Sequence, residues 1–168
     1  MRFIKMQGLG NDYIFLNCLE GGPDGLPELA AAISDRHFGA GSDGLICLFP
    51  SQRGDFAMRM FNADGSEGAM CGNGIRCLGK LIGDWGLTPK NRLMIETRAG
   101  LRQVELLDGT AWERAVRVDM GGPEVGAPLE LEAAGRRWLV TPVSMGNPHG
   151  VVFLGKVEGL DLSAAGPA

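Results

Sequence analysis

Cys71-Gly72-Asn73-Gly74-Ile75-Arg76-Cys77-Leu78-Gly79-Lys80-Leu81-Ile82-Gly83-Asp84-Trp85-Gly86 reads as one helix, and the fold turns on it. Ile75, Leu78, Ile82 and Trp85 recur at spacings of three, four and three, the period of one helical face. Gly86 supplies a stop, and Pro89 ends any continuation. The glycines at 72, 74, 79 and 83 open or interrupt this helix. Each costs about 1 kcal/mol relative to alanine in a helix interior. A sequence that carries this cost calls for close packing, as when a sheet encloses the helix.

Around the helix the pattern is of short strands. Residues 3–6 and 13–17 flank Gly8-Leu9-Gly10-Asn11-Asp12, which reads as a glycine turn between strands. Residues 27–37 suit a helix, with Pro27 at its first position and Leu29, Ala30 and Ile33 on one stripe. Residues 39–44 break it, and 45–49 form an apolar strand. Phe56, Met58 and Met60 alternate with their neighbours as a strand does. Residues 93–97 and 101–107 form a hairpin around Arg98-Ala99-Gly100, and 116–120 a further strand that ends at Gly121-Gly122-Pro123. Beyond that, residues 138–143 and 151–154 are the two clear strands.

Composition narrows the class. The chain has 168 residues, 45% of them hydrophobic and 21% charged, the profile of a globular domain with a real core. Gly 27 and Pro 9 make up about a fifth of it, against a typical sum of about 12%. The glycines follow no collagen-like period, so they mark tight turns and close backbone approaches. The net charge is −4, with Lys and Arg scattered, which argues against a nucleic-acid partner. No apolar run approaches the roughly 20 residues of a membrane span, and the first residues turn polar too soon for a signal peptide. A cytoplasmic protein with reduced cysteines is expected. Cys18, Cys47, Cys71 and Cys77 lack C-x-x-C spacing, and the histidines are only His37 and His149, so no structural zinc site is expected.

The chemistry concentrates in Phe61-Asn62-Ala63-Asp64-Gly65-Ser66-Glu67-Gly68-Ala69-Met70-Cys71-Gly72-Asn73-Gly74. A polar turn leads into a cysteine at a helix start, where unpaired N–H groups and the helix dipole converge. A thiol there has its pKa lowered. The backbone N–H groups of Gly72, Asn73 and Gly74 can cradle a carboxylate. A thiol beside a carboxylate cradle suits proton abstraction from the adjacent carbon. The commonest fate of a free cysteine is burial as a small apolar residue, which is the expectation for Cys18, Cys47 and Cys77. Cys77 lies about 240° around and about 9 Å along the helix from Cys71, so these two thiols cannot bracket one small carbon.

Asn11, Asn62 and Asn147 could serve a zwitterionic ligand or simply cap turns. His37 and His149 read as structural. Gly39-Ala40-Gly41-Ser42-Asp43-Gly44 matches a dinucleotide fingerprint, but its helix precedes and its strand follows, the wrong order for nucleotide binding. None of Lys5, Lys80, Lys90 and Lys156 sits as a Schiff-base lysine would.

Four stretches in order resemble the diaminopimelate epimerase family. They are Lys5-Met6-Gln7-Gly8-Leu9-Gly10-Asn11-Asp12, Phe61-Asn62-Ala63-Asp64-Gly65-Ser66-Glu67, Met70-Cys71-Gly72-Asn73-Gly74-Ile75-Arg76-Cys77, and Ser144-Met145-Gly146-Asn147-Pro148-His149. The resemblance implies an α+β fold of two similar domains, each a mixed β-sheet curled around a central helix. It implies interconversion of LL- and meso-diaminopimelate, a step toward lysine and peptidoglycan precursors. No cofactor and no metal take part, and one cysteine from each domain acts as acid or base. Cys71 matches the first catalytic cysteine and Gly72 and Asn73 its carboxylate cradle. Asn11, Asn62 and Asn147 match substrate-binding positions, the last two toward the far end of the ligand.

Some members of the family carry Gln where this chain has Gly44. The family's second half also carries Glu-Arg-Gly-x-Gly-Glu-Thr, Ala-Cys-Gly-Thr-Gly and an asparagine before both, none of which this sequence contains. It therefore reads as a first domain over 1–119 and an incomplete second domain over 120–168, a half-site that would not racemise by itself. The expected partner is a small amino-acid substrate, diaminopimelate, with no nucleic acid and no membrane. A homodimer stays open, as does another isomerase or racemase of the same fold.

Overall fold

The computed structural model describes residues 1–166, so residues 167 and 168, at the end of the expected second domain, lie outside the described residues. The chain divides into two compact units between Met120 and Gly121. Among the described residues no helix is long and apolar enough to cross a membrane.

The first unit holds strands β1 (Ile4–Gly8), β2 (Asn11–Asn17), β3 (Gly44–Phe49), β4 (Phe56–Asn62), β5 (Glu67–Gly68), β6 (Arg92–Thr97), β7 (Gly100–Gly109) and β8 (Arg114–Val118). Helix α1 (Leu26–Ser34) lies between β2 and β3, and α2 (Gly72–Asp84) between β5 and β6. The sheet runs β1-β2-β3-β4-β6-β7-β8, with β5 paired to β4. It is mixed, because β2/β3 and β4/β6 pair parallel while the other neighbours pair antiparallel. Helix α2 packs against β1 and β8, the two edges of the sheet, and against β2, β3 and β7 between them. A sheet whose opposite edges touch one helix is curled around it.

Both faces of the sheet's centre are covered, so β2 from Tyr13 to Leu16 and all of β3 are apolar rather than alternating. Tyr13, Phe15, Ile46 and Leu48 face the core around Ile75, Leu78 and Ile82 of α2. Ile14, Leu16, Leu45 and Cys47 face the second core, closed by Leu26, Ala30 and Ile33 of α1. Gly74, Gly79 and Gly83 of α2 have the close packing that the sequence called for. A Cβ on Gly74 would stand 2.4 Å from Ile46 Cδ1, and one on Gly83 would meet Leu106 Cδ1 at 3.1 Å.

Element bounds differ from expectation at the ends. The turn between β1 and β2 is only Leu9-Gly10, both with positive φ (55° and 86°), which places Asn11 on β2 rather than in the turn. Helix α1 stops at Ser34 rather than running to 37, because Asp35 Oδ1 accepts the N–H groups of His37 and Phe38 in a local turn.

Among its described residues the second unit contains four strands where two were expected: β9 (Glu124–Val125), β10 (Leu129–Ala133), β11 (Arg136–Ser144) and β12 (Pro148–Val151), followed by a short helix, α3 (Leu162–Ala165). β10 pairs antiparallel with β11 through Ala134-Gly135, which has positive φ at both residues (52° and 69°). β12 and β9 also pair with β11. The last strand runs over Pro148–Val151 rather than 151–154, and residues 152–154 lie outside any strand.

Candidate active site

Cys71 is the N-cap of α2, extended at φ −132° and ψ 117°. Its sulfur accepts the N–H of Gly74 at 3.3 Å, which satisfies one of the donors that a helix start leaves unpaired. That bond withdraws Gly74 from the three-donor cradle expected above. The first-turn N–H groups of Gly72 and Asn73 remain, and intrahelical bonding cannot satisfy them. The space beside Gly72 is open, since a Cβ there would find nothing nearer than Met120 Cε at 3.8 Å.

Of the four cysteines, Cys71 alone is only partly buried. Burial pushes the thiols of Cys18, Cys47 and Cys77 above the ordinary range. Sequence periodicity separated Cys77 from Cys71, and the fold seats Cys77 against Gly8 on the inner side of β1.

The hairpin β1–β2 delivers the next residue. Asn11, first on β2, turns Oδ1 toward the Cys71 sulfur, which donates at 3.4 Å, and toward Asn73 Nδ2 at 3.5 Å. Asn73 in turn accepts from Arg76 Nη2 at 2.5 Å. Asn11, Cys71, Gly72 and Asn73 thus meet at one point where a strand start faces a helix start. Asn62, at the end of β4, is not part of that group, because its amide donates to Ser66 Oγ at 2.9 Å within its own turn. Asn147 stands exposed in the turn between β11 and β12 of the second unit.

Sequence reasoning missed two residues here. Tyr13 is buried, two positions past Asn11 on the same face of β2, with its hydroxyl against the Cys71 thiol and the Asn11 amide. Burial first, and then the neighbouring sulfur, push that hydroxyl well above its ordinary range. The two-residue period of a strand puts it on the face of Asn11, but no sequence signal singles it out. Asp43 lies in the glycine loop before β3, a segment that drew notice only as a failed nucleotide motif. Its Oδ2 accepts from Asn11 Nδ2 at 2.7 Å and from the Asp12 N–H at 3.0 Å. Among the described residues no three His, Cys, Asp or Glu side chains are grouped as a metal site would need.

The first unit's fold is that of a group of epimerases, racemases and related proteins. A hydroxyproline epimerase from Agrobacterium vitis aligns at TM-score 0.64 and 18% identity, covering 89% of this chain and 50% of that one. A phenazine biosynthesis protein of the PhzF family from Bacillus anthracis aligns at TM-score 0.62 and 18% identity, covering 90% of this chain and 56% of the other. At such identities the likeness speaks for the fold alone.

Sequence gives the family. The pattern of diaminopimelate epimerase matches residues 3–126. The diaminopimelate epimerase of Acetivibrio thermocellus is 47% identical over 180 residues, covering 99% of this chain and 64% of that protein. The one from Desulfovibrio desulfuricans is 44% identical, covering 99% and 65%. The chain belongs to the diaminopimelate epimerase family. It spans slightly less than two thirds of the length of these relatives.

Proposed function

We propose that this chain carries one catalytic half-site of a cofactor-independent diaminopimelate epimerase. The single observation that supports this best is the Cys71 thiol, partly buried at the cap of α2 and joined to Asn11 on one side and Gly74 on the other. In this reading the substrate's α-carboxylate lies on the Gly72 and Asn73 N–H groups, where the helix dipole favours negative charge. That anchoring sets the α-carbon beside sulfur. Cys71 then takes or returns the α-proton on one face of the carbon.

Inversion needs a second acid or base on the opposite face, since one group on one face returns the proton with retention. Cys18, Cys47 and Cys77 are buried and do not serve. In this reading Cys71 supplies the acid or base for one face only. Asn62 serves the far end of the substrate in this reading, supported by the family motif that surrounds it.

The test is α-proton exchange with LL- and meso-diaminopimelate in deuterated water, using full-length protein. Cys71→Ala is expected to abolish exchange on one face. Exchange unchanged from the parent would reject the assignment. A panel that includes proline and hydroxyproline separates this substrate from others acted on by the same fold.

A further inference from the structure

We propose that Asp43 is a positioning residue for Cys71: it holds the Asn11 amide with its carbonyl oxygen, and not its NH2 group, toward the sulfur. The catalytic consequence rests on the epimerase reading above, but the positioning does not.

Donor and acceptor inventory decides which way the amide faces. Asp43 Oδ1 pairs with Arg36 Nη2 at 2.9 Å, so the group is a carboxylate that offers only acceptors. Its Oδ2, 2.7 Å from the Asn11 side chain, can face only the NH2 half of that amide. The other half, Oδ1, must then point the opposite way, toward Cys71 Sγ and Asn73 Nδ2. The orientation thus follows from the one arrangement that pairs every donor with an acceptor.

The loop that carries Asp43 is itself fixed. The Asp43 N–H donates to Asp12 O at 2.8 Å, and the buried Ser42 hydroxyl donates to Gly44 O at 3.0 Å while accepting from Ser34 Oγ at 3.1 Å. Asp43 therefore grips the start of β2 by backbone and side chain together. A carbonyl oxygen beside sulfur accepts from S–H and favours the protonated thiol, whereas an NH2 group there would favour thiolate. Tyr13 from β2 and the Gly74 N–H from α2 also face the sulfur, with Cys77 farther along α2, and all three remain when Asp43 is changed.

Positioning and plain charge make opposite forecasts for Asp43→Asn. Its amide oxygen can occupy the place of Oδ2 and still accept from Asn11, although the negative charge is gone. Asp43→Ala and Asp43→Ser release Asn11. Full-length protein is treated with iodoacetamide near neutral pH, and alkylation of the Cys71 peptide is followed by mass spectrometry. Near-ultraviolet circular dichroism checks folding, and the two releasing variants guard against a defect in either.

Asp43→Ala and Asp43→Ser are expected to speed alkylation about threefold or more, because thiolate is the reactive form. Asp43→Asn is expected to stay within about 1.5-fold of the parent. In an Asn11→Ala background Asp43→Ala is expected to have no further effect, as coupled residues require. The proposal is overturned if Asp43→Asn matches Asp43→Ala, if Asp43→Ala changes nothing, or if its factor is the same with and without Asn11. Exchange of the diaminopimelate α-proton by the parent protein is measured alongside. Its absence would sink the epimerase reading and leave the alkylation result standing, whereas failed coupling with exchange intact would sink only the role of Asp43.

Discussion

A Cβ on Gly79 would stand 2.9 Å from Val104 Cγ1, so the middle of α2 and the middle of β7 meet with no room for a side chain between them. Val104 is fully buried and cannot swing away. Gly79→Ala gains about 1 kcal/mol of helix propensity. It also forces an overpacked contact that costs about 1–3 kcal/mol. The expected balance is a net loss, and a larger one for Gly79→Leu. Urea denaturation of the two variants checks this, and a stability gain for the alanine would show that the helix has slack against the sheet.

The cap at Cys71 separates stability from chemistry. Serine at 71 keeps an oxygen to accept the Gly74 N–H, and alanine does not. Cys71→Ala is therefore expected to be less stable than Cys71→Ser by about 1 kcal/mol, the usual worth of an N-cap. Neither variant is expected to exchange the α-proton of diaminopimelate on the face that Cys71 serves. Equal denaturation midpoints for the two would show that the sulfur contributes nothing to holding the helix start.

The central helix and the thiol at its start were legible because period and capping are local. Ile75, Leu78 and Ile82 announce one buried face, and the glycines among them announce a close neighbour. The parts that escaped depend on contacts between distant segments. Asp43 meets Asn11 only because β2 and β3 lie side by side in parallel, a pairing that no local pattern encodes. Tyr13 lies in an apolar run whose two faces are both covered, so nothing in the run marks the one residue that reaches sulfur. Strand β10 was missed for another reason. Leu129-Glu130-Leu131-Glu132 does alternate, but its leucines are largely exposed and the Ala134-Gly135 turn lacks the usual Asn or Asp.

Tyr13 is the only tyrosine in the 168 residues, and its hydroxyl is held neutral by burial and by the sulfur beside it. Its folded value lies above the ordinary one of about 10, so the stability that this gives is complete below about pH 10 and is lost as pH rises from there. Tyr13→Phe is expected to flatten the alkaline decline of the urea midpoint. Tyrosinate absorbance of the 168-residue chain is expected to appear together with unfolding and not before it. A tyrosinate signal that rises near pH 10 in folded protein would place the hydroxyl in water.

Asp12 gives the complementary effect in acid. Arg36, at 2.9 Å, and Lys5, at 3.0 Å, hold its carboxyl well below the usual carboxylate range against the opposing pull of desolvation. A depressed folded value stabilises the protein above the unfolded value of about 3.9 and loses that contribution as pH falls below it. Both cations are substantially exposed, so solvent screens the pair and the effect is modest. Asp12→Asn is expected to lower the urea midpoint slightly at pH 6, less so in high salt, and to leave it less sensitive than the parent to acid below about pH 4. Asp43 keeps Arg36 in place in the variant, so the change isolates the Asp12 carboxyl. Parallel acid limbs for the two proteins would mean that Asp12 titrates alike in the folded and unfolded chain.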